Sequence, residues 1–241
     1  MIYIGVYEEE AALWATAESS PAFPVYRQLE LLKQSYSILT GNYGDLIRVL
    51  STWNKRFEPC KNDDELGRAL EESSADGVVF PYCSEAMRTL NNCLASATML
   101  TDHIRTCAKR QPDNGALEKQ RSEKAHAVFN TGDAQFARAV RNYMQHADGP
   151  REAYTSIDAE TLKRCAEISA GARRYIDTHG RYVIIEEFAS VYFEACSDYY
   201  HWFTGELQGA NKKGLDALMP TMARIKRIRS GNQTEEGPSS A

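Results

Sequence analysis

The feature that most constrains this chain is an apolar stripe between Met87 and Cys107. Met87, Leu90, Leu94, Ala97, Leu100, Ile104 and Cys107 follow one another at steps of three or four. That spacing gathers them on one side of an α-helix, whereas a strand would scatter them over both faces. A long helix with such a stripe has to bury it against a neighbour. A second stripe, Ile184, Phe188, Val191, Ala195, Tyr199, Trp202 and Phe203, lies in a segment from Val183 to Leu207. Two long amphipathic helices predict an all-α fold, a helical bundle with these two at its centre.

Shorter elements fill the spaces between them. Tyr26 to Leu39 reads as a helix with Leu29, Leu32, Tyr36 and Leu39 on one face. The string Gly41-Asn42-Tyr43-Gly44-Asp45 reads as a turn, with Asp45 capping a helix through Trp53. Asp63 to Ser73 is a short helix, and Gly77 to Pro81 an extended connector, because proline disfavours helix at Phe80. Ser84 then caps the first long helix, which runs to about Lys109 before Pro112-Asp113-Asn114-Gly115 ends it. Ala116 to Phe129 and Asp133 to His146 follow as helices, then Asp158 to Asp177, broken by Gly180. Gly214 to Arg229 reads as a basic helix interrupted at Pro220. Ile2, Ile4 and Val6 alternate like a strand while Glu8 to Ala17 has helical character, and strand alternation is absent after residue 10. The expected organisation is one helical domain over residues 1–229 and a disordered tail over 230–241, which has no apolar anchor.

Composition narrows the function classes. The net charge of −5 argues against a general nucleic-acid coat protein but leaves room for a local basic cleft. No run of apolar residues reaches the ~18 of a membrane span, and the first residues carry no basic leader. Cys60, Cys83, Cys93, Cys107, Cys165 and Cys196 include no C-x-x-C pair, so a reducing cytoplasm is the expected compartment. Glycine-rich phosphate loops, nucleophile elbows and His-Glu-x-x-His motifs are missing, and neither a cofactor nor a metal is expected.

The helix from Asp133 to His146 carries the most chemistry. Arg138, Arg141, Asn142 and Gln145 form a polar stripe at i, i+3, i+4 and i+7, and His146 stands four residues beyond Asn142. Phe136, Val140, Tyr143 and Met144 form the opposing apolar stripe, and Gly149-Pro150 has to stop the helix. A guanidinium binds phosphate through a planar fork of donors, an imidazole titrates near neutral pH, and a helix C-terminus favours its protonated form. The arginine–histidine spacing occurs three times, at Arg121/His126, Arg141/His146 and Arg174/His179. Only the central copy has an amide directly after the arginine; the first reads as a solvated face.

Arg141-Asn142-Tyr143-Met144-Gln145-His146 resembles the R-x4-6-H motif of the HEPN superfamily, whose members often carry a polar residue after the arginine. The specific match covers about ten residues. The resemblance implies a HEPN-like helical core within residues 82–207 that forms a homodimer, with two motifs meeting at one metal-independent endoribonuclease site. It further implies Arg141, Asn142 and His146 as catalytic residues, with Arg138 and Gln145 binding the RNA. The setting it implies is a prokaryotic toxin–antitoxin or anti-phage system, in which an antitoxin or effector protein is a further partner. One toxin branch carries a tyrosine two positions after the histidine; here that position is Asp148, so neutralisation by modifying it is not implied. The alternative within the same resemblance is a non-catalytic dimerisation or RNA-binding module.

Other constellations point elsewhere. Asp198 and His201, with Glu187 and Glu194, faintly resemble the carboxylate-rich helices of di-iron bundles, although no Glu-x-x-His occurs. Tyr192, Phe193, Tyr199, Tyr200, Trp202 and Phe203 spread around their helix and read as core or dimer interface. Lys212, Lys213, Arg224, Lys226, Arg227 and Arg229 form a basic stretch that reads first as a solvated helix end.

Overall fold

A computed structural model describes residues 2–60, 62–112, 115–146, 155–164 and 168–233. Among the described residues the fold is all-α apart from one small two-stranded ribbon. The helices are α1 (Ile2–Glu18), α2 (Phe23–Phe57), α3 (Asp63–Ala75), α4 (Val79–Lys109), α5 (Ala116–Phe129), α6 (Gly132–His146), α7 (Ala159–Lys163), α8 (Ala170–His179) and α9 (Ile185–Gln233). Strands β1 (Ser156–Asp158) and β2 (Tyr182–Ile184) pair antiparallel, Ile157 opposite Val183. The chain divides into two compact units, Leu32–His201 and Met1–Leu31 with Trp202–Ala241. Both boundaries fall inside helices, α2 and α9.

The larger unit is built around the stripe of α4. Leu90, Leu94, Ala97, Leu100, Ile104 and Cys107 are all buried. The expected stripe of α9 is displaced by one position at its start. Ile185, Phe188, Ala189, Tyr192, Cys196 and Tyr199 are buried, whereas Ile184 and Val191 are exposed. The aromatic residues of this helix belong to the core and its margins: Tyr199 packs edge-on to Phe129, Phe193 stacks on Tyr43, and Tyr200 stacks on Tyr36. Burying side chains of this size stabilises the fold by about 1.5–3 kcal/mol each.

The expected turn at Gly41 to Asp45 does not form, and α2 passes straight through it. Leu39, Leu46, Leu50 and Trp53 keep one helical phase across the two glycines. Tertiary contacts hold the segment: Tyr43 stacks on Phe193 at 4.1 Å, and Asn42 Nδ2 donates to the Asn92 carbonyl at 3.3 Å. These contacts outweigh a helix cost of about 1 kcal/mol per glycine. Asp45 does not cap a helix but pairs with Arg48 on the surface.

Pro81 likewise fails to exclude helix. It is the third residue of α4, where a backbone N–H would have no intrahelical acceptor in any case. The expected extended connector is therefore replaced by a tight turn, with Gly77 at φ +69° and Val78 already in the helical region at φ −82° and ψ −31°. The single helix expected from Asp158 to Asp177 is replaced by β1, α7 and α8. Asp158 explains its start: its carboxylate caps α7 by accepting the Glu160 N–H and also receives the Arg181 guanidinium. Ile157 and Val183 fill the core side of the ribbon, so strand pairing, not periodicity, decides this region.

In the smaller unit, α1 is helical from Ile2, which resolves the ambiguous N-terminal reading in favour of helix. Half of the basic stretch of α9 is engaged there: Arg224 pairs with Glu9, Arg229 with Glu10, and Lys212 with Asp216. Arg229 also lies 5.0 Å above the Trp14 ring. The helix is continuous through Pro220 and through Ser230 to Gln233; the rest of the expected tail, 234–241, lies outside the described residues.

Candidate functional site

Helix α6 is held by its apolar face. Ala134, Phe136, Ala137 and Val140 are buried, and Phe136 meets Tyr175 of α8 and Phe188 of α9, both at ring separations of 5.0 Å. Gly132 lets the start of α6 approach Tyr175, since a Cβ there would lie 3.1 Å from the ring. The helix is thereby fixed in rotation, and its polar residues have defined directions.

Those directions split the expected stripe. Arg138 and Asn142 share one side and line a polar pocket of about 330 Å³ together with Asn130, Gln135, Ala139 and Ser169. Arg141 does not line it. Adjacent helical positions differ by about 100°, so Arg141 leaves the helix at a different angle from Asn142 and reaches it from the side. Its guanidinium is half-buried; Nη1 donates to Asn142 Oδ1 at 3.4 Å, and Nε is buried without a hydrogen-bond partner among the described residues. The backbone of α6 continues to His146, one turn past Asn142. The side chains of Gln145 and His146, and the expected stop at Gly149-Pro150, lie outside what the structure describes.

The pocket wall is a hydrogen-bonded network. Ser169 donates to Gln135 Oε1 at 2.7 Å and accepts the Ala172 N–H as the cap of α8. Gln135 Nε2 in turn donates to Asn130 Oδ1 at 3.0 Å and to the Asn130 carbonyl at 3.3 Å. Gly171 leaves room for this amide; a Cβ there would push the end of the Gln135 side chain aside. Arg138 is oriented by its neighbours, its guanidinium 5.4 Å above the Phe129 ring and beside the Tyr192 hydroxyl. Burial pushes the Tyr192 phenol up from its ordinary range, while Arg138, hydrogen-bonded to it, pulls the other way.

Sequence reasoning singled out Arg138 and Asn142 but missed Asn130, Gln135 and Ser169. Gln135 stands three residues before Arg138, a spacing that does place it on the same side of α6. Ser169 belongs to another helix, and no local pattern links it to Gln135.

In the other two arginine–histidine copies, Arg121 and His179 are engaged in structural roles. Arg121 is not on a solvated face: it forks onto Glu118 and donates to the Tyr199 hydroxyl at 3.3 Å. Burial works against its charge, but these two partners outweigh that and raise its pKa. His179 Nδ1 lies 2.9 Å from the Tyr175 carbonyl, and its ring stacks on Tyr175. Among the described residues, no three of His, Cys, Asp or Glu converge as metal ligands, so Glu187, Glu194, Asp198 and His201 do not assemble into a di-iron site. His201 instead packs edge-on against Tyr36.

The chain matches no protein-family model, no curated protein and no solved structure. The candidate site therefore stands on its own geometry. Among the described residues, no helix is long and apolar enough to cross a membrane.

Proposed function

We propose that this protein is a metal-independent endoribonuclease of the HEPN type. One observation carries the reading: Arg138 and Asn142 wall a polar pocket free of carboxylates on the same helix that bears Arg141 and His146. A surface helix fixed by its apolar face, with guanidinium and amide groups turned outward, suits a polyanion.

In this reading a ribose 2′-hydroxyl attacks the adjacent phosphorus, and the bond from phosphorus to the 5′-oxygen breaks. His146 of one subunit accepts the 2′-hydroxyl proton, and His146 of a second copy protonates the departing 5′-oxygen. Arg141 neutralises the charge that grows on the non-bridging oxygens, and Asn142, whose Oδ1 faces Arg141, steadies that guanidinium. The products are a 2′,3′-cyclic phosphate and a 5′-hydroxyl. A homodimer follows from the need for two histidines, and the biological setting proposed is prokaryotic toxin–antitoxin or anti-phage defence, with an antitoxin or effector protein as partner.

A second reading, RNA binding without cleavage, is favoured by one observation: Arg141 does not line the pocket that Arg138 and Asn142 form. Incubating end-labelled RNA with the protein in EDTA separates the two. The ribonuclease reading expects cyclic-phosphate ends and a loss of about 100-fold or more in rate for both Arg141→Ala and His146→Ala, with the helical circular dichroism unchanged. Equal cleavage by His146→Ala and wild type, or inhibition by EDTA, defeats it.

A further inference from the structure

We infer that the pocket between α6, Asn130 and Ser169 is a phosphate subsite for single-stranded RNA, on the same helix that bears Arg141; the choice of RNA as the polymer rests on the proposed function. The assignment follows from which hydrogen-bonding groups of the wall are already engaged. Gln135 Oε1 accepts from Ser169, Asn130 Oδ1 accepts from Gln135, and Asn142 Oδ1 accepts from Arg141. The side-chain acceptors of the wall are thus each turned to a protein donor. Of the lining residues, Asn142 brings its amide N–H groups and Arg138 brings the positive charge, its guanidinium lying over Phe129 and beside the Tyr192 hydroxyl, with donors beyond the one that Tyr192 takes.

A hollow that offers donors and one positive charge selects an oxyanion. A nucleobase is the poorer fit: its edge presents donors and acceptors together, and none of the lining residues supplies an aromatic ring for stacking. Arg138 is also pre-oriented by Phe129 and Tyr192, so little side-chain freedom is lost when it meets a phosphate.

The test uses a 2′-O-methyl single-stranded RNA oligonucleotide, which lacks the attacking hydroxyl and so reports binding apart from cleavage. Affinity is measured by fluorescence anisotropy across a salt series. Arg138→Gln is expected to weaken binding about tenfold. It should also reduce the slope of log affinity against log salt by about 0.7, the signature of one lost single-strand phosphate contact. Arg138→Lys should restore the slope but not the full affinity, and Asn142→Ala should weaken binding with the slope unchanged. Wild-type affinity and slope in Arg138→Gln overturn the subsite, even if the protein cuts RNA. So does a wild-type protein that does not bind the oligonucleotide. Arg138-dependent binding by a protein that leaves unmodified RNA intact keeps the subsite and removes the ribonuclease reading.

Discussion

Ser169 donates a 2.7 Å hydrogen bond to Gln135, 34 residues earlier in the chain. This bond joins the first turn of α8 to α6 and builds the wall opposite Arg138 and Asn142. Its partner bonds from Gln135 to Asn130 extend the wall to the end of α5. The pocket is therefore a product of two helix termini and one side of α6, and each can be perturbed separately.

Gly171→Ala is expected to destabilise the protein by about 0.5–1.5 kcal/mol, because the new methyl pushes the Gln135 amide aside and breaks its exposed bonds to Ser169 and Asn130. In a Gln135→Ala background the same change should reverse sign and stabilise by up to about 1 kcal/mol, since alanine is the better helix residue. Urea unfolding of the four proteins gives the coupling directly. Additive effects would mean that the glycine and the glutamine do not interfere.

Phe136 is fully buried between Tyr175 and Phe188 and fixes the rotation of α6. Phe136→Ala should cost about 3–5 kcal/mol through lost transfer energy and a residual cavity. RNA binding, where the fold survives, should weaken with it because Arg138 and Asn142 lose their common direction. A thermal melt within a degree of wild type contradicts the assigned packing.

Alkaline pH should destabilise the fold through its buried thiols. Burial pushes Cys93 and Cys196 up to about 12 and Cys107 to about 11. An unfolded thiol ionises near ~8.5. The folded state keeps these groups neutral, so their stabilising contribution is whole below the unfolded pKa. It falls as pH rises from there through the folded values. Unfolding free energies measured at pH 7.5, 9.5 and 10.5 should decline, and a Cys93→Ala variant should decline less steeply. At pH 8, partly exposed Cys60 and Cys83 should alkylate well before Cys93, Cys107 and Cys196.

Pro220 stands inside α9, exposed, where it withholds an N–H from the carbonyl four residues back. Pro220→Ala should raise the stability by about 1–3 kcal/mol, read as a higher melting temperature. A lower melting temperature would show that Leu218 and Met222 depend on the local geometry proline imposes.

The elements legible in the sequence were those whose apolar residues repeat in one phase. The stripe of α4 is buried as spaced from Leu90 to Cys107, α5 spans the residues read for it, and α6 begins within a residue of Asp133. The misreadings have a common cause. Gly41, Gly44, Pro81 and Pro220 are poor helix residues, and in the sequence each reads as a boundary. Each is overridden by position within the first turn, by aromatic stacking, or by helix on both sides. The split of the Asp158–Asp177 segment was invisible because β1 forms only by pairing with β2, about two dozen residues away along the backbone.

The candidate site divides in the same way. Its helix, its cationic and amide residues and its neighbouring histidine are local facts, set by spacing along one helix. Which of those residues face a common hollow was not local: Arg138 and Asn142 do, and Arg141 does not. Local periodicity fixes a side chain's angle about its own helix axis, so α6 and its two faces could be read from the chain alone. The angle of that helix relative to α8 and α9 comes from packing Phe136 between distant aromatic rings, and only the tertiary structure decided what stands opposite each side chain.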